Sequence, residues 1–410
     1  AVKAIVGGMQ RHIADLGLQR CGFQTLGKLA LDRNKRTVIR EAGVIKAIVD
    51  GMRMHVADVA LQCDGCRAIC DLAASTSNWI ALMEAGGIKA IVEGMQMHAA
   101  DLDAQRVGIK TLRKLAMDGH TGTVIREAGV SKAIVDMMQM HLADVALQCD
   151  GCRAICDLAT DPNNRIRIVE AGGIKAVVDG MQRHVTNVAM QFDGCEAICF
   201  LAIDSSHRSA IIEVGDIKAI FEGMQMHMAN ASVQSGCCRA LGNLADVLNS
   251  GPVMREAGAF KAIVNSMLRH MGNITVQCDG CWALGKLAGG SNNESVIREA
   301  GVVKIIVGTM QKFVAHIRVQ TVGCWALANL VDDERTRSAI REAGGIEALV
   351  AAMKMHMAEA EMQRYACRVL WKLASKNMSL IRQVGGEAIV DAVRKHMAVD
   401  SMQTHDNAAV

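Results

Sequence analysis

Proline is almost missing from this chain and aromatic residues are scarce: two prolines, and 3% Phe, Trp and Tyr, in 410 residues. An all-β protein needs turn-forming residues and aromatic or β-branched strands, so the shortage argues against that class. An excess of one charge is missing too. The formal net charge is +3 and no basic block occurs, which argues against a dedicated nucleic-acid or membrane-surface binder. No run of about 18 uninterrupted apolar residues exists, so no transmembrane helix is predicted. No signal-type segment opens the sequence, which starts at Ala1. The chain also lacks a glycine-rich phosphate loop after a strand, an HExxH pair and a nucleophile elbow, the spacings that mark common enzyme sites. It is read as non-catalytic and without a cofactor.

What is present is helix-forming and repetitive. Hydrophobic residues make up 51% of the chain, and alanine, methionine, leucine, isoleucine and glutamine dominate, most of which suit helices. The period is 43 residues: glycine recurs from Gly43 and Gly86 through Gly129, Gly172, Gly215, Gly258 and Gly301 to Gly344, and glutamine from Gln19 to Gln363. Methionine keeps the same step from Met9 to Met353, and histidine from His12 to His356, with Phe313 replacing it once. In the last unit the glycine comes two residues early, at Gly385. A longer period of 86 residues lies over this one, because residues 55–73 and 141–159 differ at one position only.

One unit predicts three helices. In residues 77–120 a short helix, SNWIALMEA, stops at Gly86, where glycine supplies a left-handed C-cap. The second helix, GIKAIVEGMQMH, places Ile88, Ile91, Val92 and Met95 at 3, 4, 7 spacing. The third starts after Asp101. That position reads Asp15, Asp58, Asp101, Asp144, Asn187, Asn230 and Asn273, side chains that accept from the free N–H groups of a first turn. The histidine three residues earlier closes the second helix. The methionine column is predicted to pack between second and third helices.

The runs EAGG-I-x-A-x-V (Glu84 to Val92) and V-Q-x-x-G-C-W-A-L-A-N-L (Val319 to Leu330) resemble the armadillo repeat. The resemblance covers essentially the whole chain. It implies an all-α fold, a right-handed superhelical solenoid of about nine 43-residue three-helix repeats, in one array over residues 1–410. It also implies that the third helices line a concave groove for partners. In import adaptors of this family the groove carries a tryptophan and, four residues on, an asparagine. Here the tryptophan position reads Gln24, Arg67, Lys110, Arg153, Glu196, Arg239, Trp282, Trp325 and Arg368. The asparagine position reads Lys28, Asp71, Lys114, Asp157, Phe200, Asn243, Lys286, Asn329 and Lys372. Only Trp325 with Asn329 keeps both, which argues against an import-cargo groove.

Three columns invite sharper chemistry. Cys63, Cys66 and Cys70, and again Cys149, Cys152 and Cys156, form C-x2-C-x3-C on one helix face. The middle cysteine belongs to a column running through Cys195, Cys238, Cys281, Cys324 and Cys367 that Phe23 and Ile109 also fill, so packing explains it better than metal binding. Units roughly 8–10 Å apart also argue against disulfides along it, and reduced thiols point to an intracellular setting, cytoplasmic or else nuclear or organellar. The histidines are too far apart to share a zinc ion. Lys3, Lys46, Lys89, Lys132, Lys175, Lys218, Lys261 and Lys304 open second helices, where a cation opposes the dipole. Acids four residues on (Asp50, Glu93, Asp136, Asp179, Glu222) predict a self-neutralised edge. In the groove, Arg67 with Asp71 and Arg153 with Asp157 are expected to neutralise each other in the same way.

What the repeat does not require is the candidate site: Trp282 and Trp325, with Arg239, Asn243, Lys286, Asn329, Tyr365 and Arg368 around them. Tryptophan, tyrosine and arginine are the usual anchors of protein interfaces. The reading is a scaffold holding an extended or helical segment of a protein partner, within a larger complex. Two others stay open: an architectural subunit docking through its convex face or ends, and a cargo adaptor. The sequence begins inside a second helix and ends inside a third, without polar capping repeats, so a longer array or covered ends are expected.

Overall fold

Helices form over the described residues at the 43-residue period of the sequence. The computed structural model describes residues 1–32, 36–73, 78–116, 122–204, 216–245, 254, 258–289, 294–387 and 389–391, and these contain helices and turns but no strand. The chain divides into two units, Ala1–Leu201 and Ala202–Val410.

In the first unit the pattern is clearest between residues 79 and 116, with helices Trp79–Glu84, Gly87–Met97 and Leu102–Ala116. Gly86 between the first two has φ +71° and ψ +36°, a left-handed corner that costs glycine least. The same corner recurs at Gly43, Gly129 and Gly172, and in the second unit at Gly258, Gly301 and Gly344. Gly215 lies outside the described residues. All seven predicted N-caps form, from Asp15 accepting the Leu18 N–H to Asn273 accepting the Val276 N–H.

The glutamine column closes the opposite end of the neighbouring helix. Gln105 Nε2 donates to the Met95 carbonyl at 2.7 Å and the His98 carbonyl at 3.0 Å. Carbonyls of a helix's last turn lack intrahelical donors, and this amide satisfies the buried one of Met95 while sharing the half-buried one of His98 with the Asp101 N–H. All nine glutamines do the same, at 2.7–2.8 Å from the methionine carbonyl.

The methionines pack between second and third helices as expected, on a column of glycines. A Cβ at Gly108 would stand 2.5 Å from Met95 Cγ and 2.6 Å from its Sδ. Gly151 meets Met138 in the same way, and in the second unit Gly280 meets Met267. The thioether therefore fills a notch that only a missing side chain leaves open.

Histidine does more than end the second helix. His98 is a helix C-cap, and its Nε2 lies 2.8 Å from the Val56 carbonyl of the previous repeat. The same bond joins His55 to Ile13, His141 to Ala99 and His184 to Leu142 in the first unit. In the second it joins His270 to Met228 and His356 to Val314.

The last repeat departs from the pattern. Helix Ala360–Gly385 runs on for 26 residues where other repeats break. Its sequence has no glycine or proline between Ala360 and Val384, so nothing interrupts the helix. The positive φ falls on Gly386 (+76°), with ψ 177°, and not on the expected Gly385.

Candidate partner-binding face

The third helices of the second unit, Ala231–Leu244, Ile274–Ala288, Ile317–Leu330 and Ala360–Gly385, pack side by side in sequence order. Every predicted site residue lies on one of them. Arg239, Asn243, Trp282, Lys286, Trp325, Asn329 and Tyr365 are half-buried, and Arg368 is exposed.

Each tryptophan has a seat on the helix before its own. A Cβ at Gly285 would stand 2.6 Å from Trp325 Cζ3 and 2.9 Å from the Ala326 Cα, and one at Gly242 would overlap the Trp282 ring. The six-membered rings thus lie against bare helix backbone. Lys286 places its ammonium 5.9 Å from the Trp282 ring centroid, within range of a cation–π attraction. Tyr365 donates its hydroxyl to Glu361 at 3.1 Å, and the Arg364 guanidinium sits 5.3 Å from its ring. Lys372, in the asparagine column, pairs with Asp332.

A half-buried acid organises the arginine. Asp279 accepts the Ser235 hydroxyl and lies 3.5 Å from Arg239 Nε. Burial raises the Asp279 carboxyl above its ordinary value, although Ser235, Arg239 and Arg318 pull it down. Arg239 is therefore held toward Asp279. The first unit uses the same acid position. Asp64 takes Arg20 at 3.3 Å, Gln24 at 2.9 Å and Arg67 at 3.2 Å, and Asp193 takes Arg153 at 2.8 Å. The expected pairs Arg67–Asp71 and Arg153–Asp157 give way to these. The acid three residues before Arg67, or forty after Arg153, lies nearer its guanidinium than the next turn does. Asp157 instead meets Arg113 at 2.9 Å.

The lysine edge pairs where an acid stands four residues on, with Lys46–Asp50, Lys89–Glu93, Lys132–Asp136 and Lys175–Asp179 in the first unit and Lys218–Glu222 in the second, at 2.6–3.9 Å. The middle cysteines are core. Cys152, Cys195, Cys238, Cys281 and Cys324 are 0% exposed and all are free thiols. Burial pushes Cys66 up to about 12 and raises Cys281 and Cys324 as well, which suppresses the thiolate that metal binding and nucleophilic attack require. Among the described residues no group of three or more His, Cys, Asp or Glu could hold a metal ion.

Sequence reasoning passed over Gly242, Gly285, Ser235 and Asp279. A signal for the glycines was present: both tryptophans of this column have a glycine forty residues earlier, while Cys70, Arg113, Cys156 and Cys199 fill that position in the intervening repeats and Gly27 in the first.

A family model described as LRRK2 ARM repeat matches residues 104–344, more than half of the chain, and one described as Armadillo/beta-catenin-like repeat matches residues 333–375. No curated protein matches. Among solved structures, two engineered proteins from a structural genomics consortium are similar. One is 24% identical, covering 60% of this chain and 97% of its own, with a TM-score of 0.53. The other is 18% identical, covering 59% and 98%, with a TM-score of 0.51. A chain from the structure described as "A conserved phosphorylation switch controls the interaction between cadherin and beta-catenin in vitro and in vivo" is 14% identical. It covers 92% of this chain and 70% of that one, with a TM-score of 0.66. At these identities the likeness is one of fold.

Proposed function

Because this chain belongs to the armadillo-repeat family, we propose that it is a non-catalytic protein-interaction scaffold whose third-helix face between Ala231 and Gly385 holds an extended or helical segment of a partner. Armadillo repeats typically serve as protein-binding scaffolds, and no described helix is long and apolar enough to cross a membrane. The observation that carries the finer reading is the pair of half-exposed tryptophans, each seated on a glycine of the preceding helix. Such a ring is fixed on one side and stays half-exposed. It offers large apolar area to a ligand at little cost in lost side-chain freedom, while Lys286, Asn329 and Arg368 supply polar contacts at its edges.

We also read residues 1–410 as one array within a larger assembly, since the 43-residue register passes residue 201 without insertion.

The test is crosslinked affinity capture from the native source, comparing wild type with Trp282→Ala plus Trp325→Ala and with Lys286→Glu. Loss of one specific partner in both variants, with helicity retained, supports the face as the working site. A partner list unchanged in both refutes it and favours an architectural subunit that docks elsewhere.

A further inference from the structure

The lysine edge changes character along the chain. From Lys46 to Lys218 each lysine that opens a second helix meets an acid four residues on. Lys3, Lys261 and Lys304 do not, because Gly7, Asn265 and Gly308 stand where the acid would be. At Gly308 the space is open: a Cβ there would meet nothing within 4 Å.

Gly308 and Lys304 line a cleft of about 800 Å³ in the second unit. Its walls are the second helices Ala259–Arg269 and Val302–Lys312 and the short helices Glu294–Glu299 and Glu334–Glu342. None of its lining residues lies on a third helix, so the tryptophan face is not part of it. The apolar part includes Leu268 and Met271, 50% and 42% exposed, and the buried Ile297. The charged part is Arg298, Lys304 and Arg335 against one acid, Glu342. Among the described residues none of these three cations has an ion pair, whereas Arg337 and Arg341 close by share Glu334 at 3.0 and 3.4 Å. Glu342 accepts the Ser338 hydroxyl at 3.0 Å.

Open volume, exposed apolar side chains and three uncompensated cations thus coincide where the repeat's own acid is deleted. We propose that this cleft binds an acidic amphipathic segment of a partner protein, its apolar side chains against Leu268 and Met271 and its carboxylates on Lys304, Arg298 and Arg335. Charge complementarity selects this occupant, since the position its carboxylate takes beside Lys304 is the one filled by Asp50, Glu93, Asp136, Asp179 or Glu222 in other repeats. The site is independent of the third-helix face.

The test uses the whole chain and two fluorescently labelled helical peptides with the same leucine pattern, one with glutamate and one with lysine at the polar positions. By anisotropy at low salt, the glutamate peptide binds and the lysine peptide does not. Gly308→Glu restores the repeat's own acid in open space, and a like charge in the cleft lowers affinity for the glutamate peptide by about tenfold or more. Lys304→Gln with Arg335→Gln does the same, while Trp282→Ala with Trp325→Ala leaves it unchanged. Equal binding of both peptides, no binding of the glutamate peptide, or undiminished binding to Gly308→Glu with unaltered circular dichroism overturns the proposal. So does displacement by vesicles of anionic lipid, or by a synthetic peptide of residues 392–410, at lower concentration than by unlabelled glutamate peptide.

Discussion

Glycine carries two opposite instructions in this chain, and the neighbours decide between them. Gly108 is a notch for Met95, whereas Gly308 faces open space. Gly108→Ala overpacks the interior and is expected to destabilise by about 1–3 kcal/mol. Gly308→Ala removes only backbone freedom and stabilises by about 0.5–1 kcal/mol. Urea titrations of the two variants, read at the midpoint, check the opposite signs. The buried and half-buried acids make a second claim. Burial raises the folded-state values of Asp193 and Asp279 above 3.8. The native state then binds the proton more tightly than the unfolded chain, so their contribution to stability grows as pH falls through the raised value and is complete below the unfolded one. Asp279→Asn cannot titrate, so wild type should gain stability relative to it on acidification from neutral pH; urea midpoints at several pH values measure the difference. At this scale the sequence displayed Trp282 and Trp325 but not what they rest on. A glycine records only that a side chain is missing, and the ring that fills the gap lies forty residues away. Asp279 was equally hidden, because a charged residue in a helix reads as solvent-facing until its neighbours are known.

Helices were the most legible layer. Their ends are written in local chemistry: glycine at the left-handed corner, aspartate or asparagine at the cap, and apolar spacing between. The boundaries read for residues 77–120 agree with the helices that form. The glutamine column was visible but mute, since its partners are backbone carbonyls that every residue possesses. Its structural role yields a prediction. Gln105→Ala leaves the Met95 carbonyl short of a donor in a buried place, while the His98 carbonyl keeps the Asp101 N–H at 3.0 Å, and should cost about 1–3 kcal/mol. Gln105→Glu should cost more, because a carboxylate faces the carbonyls with no proton to give. Thermal melts of the two variants rank them. The continuous helix Ala360–Gly385 shows the limit of reading by column: the expected break depends on residues between helices, and the last repeat lacks them.

For the whole molecule, within each unit the helices that pack together belong to one repeat or to its neighbour. Stability is then close to a sum of repeat terms and interface terms, and damage to one interface stays local. His98→Ala removes the bond to the Val56 carbonyl, worth about 0.5–1.5 kcal/mol. Hydrogen exchange should quicken in helices Val44–Met54 and Gly87–Met97 and stay near wild type in Gly173–Arg183; a uniform rise through the first unit would contradict the additive picture. The family was legible because nine copies of one pattern average out the noise of any single copy. The proposed binding face was legible only through that family's geometry, since nothing in a period says which face a partner meets.

The histidine bond has a consequence for heredity. Its acceptors belong to Ile13, Val56, Ala99, Leu142, Met228 and Val314, five kinds of residue, because only the peptide oxygen is used. A crossover that inserts or deletes one 43-residue copy leaves each imidazole beside a carbonyl, whatever sequence arrives next to it. At this contact such a gene can lengthen or shorten in whole steps without a compensating mutation, and the near-identical stretches at 55–73 and 141–159 are the kind of record that duplication leaves.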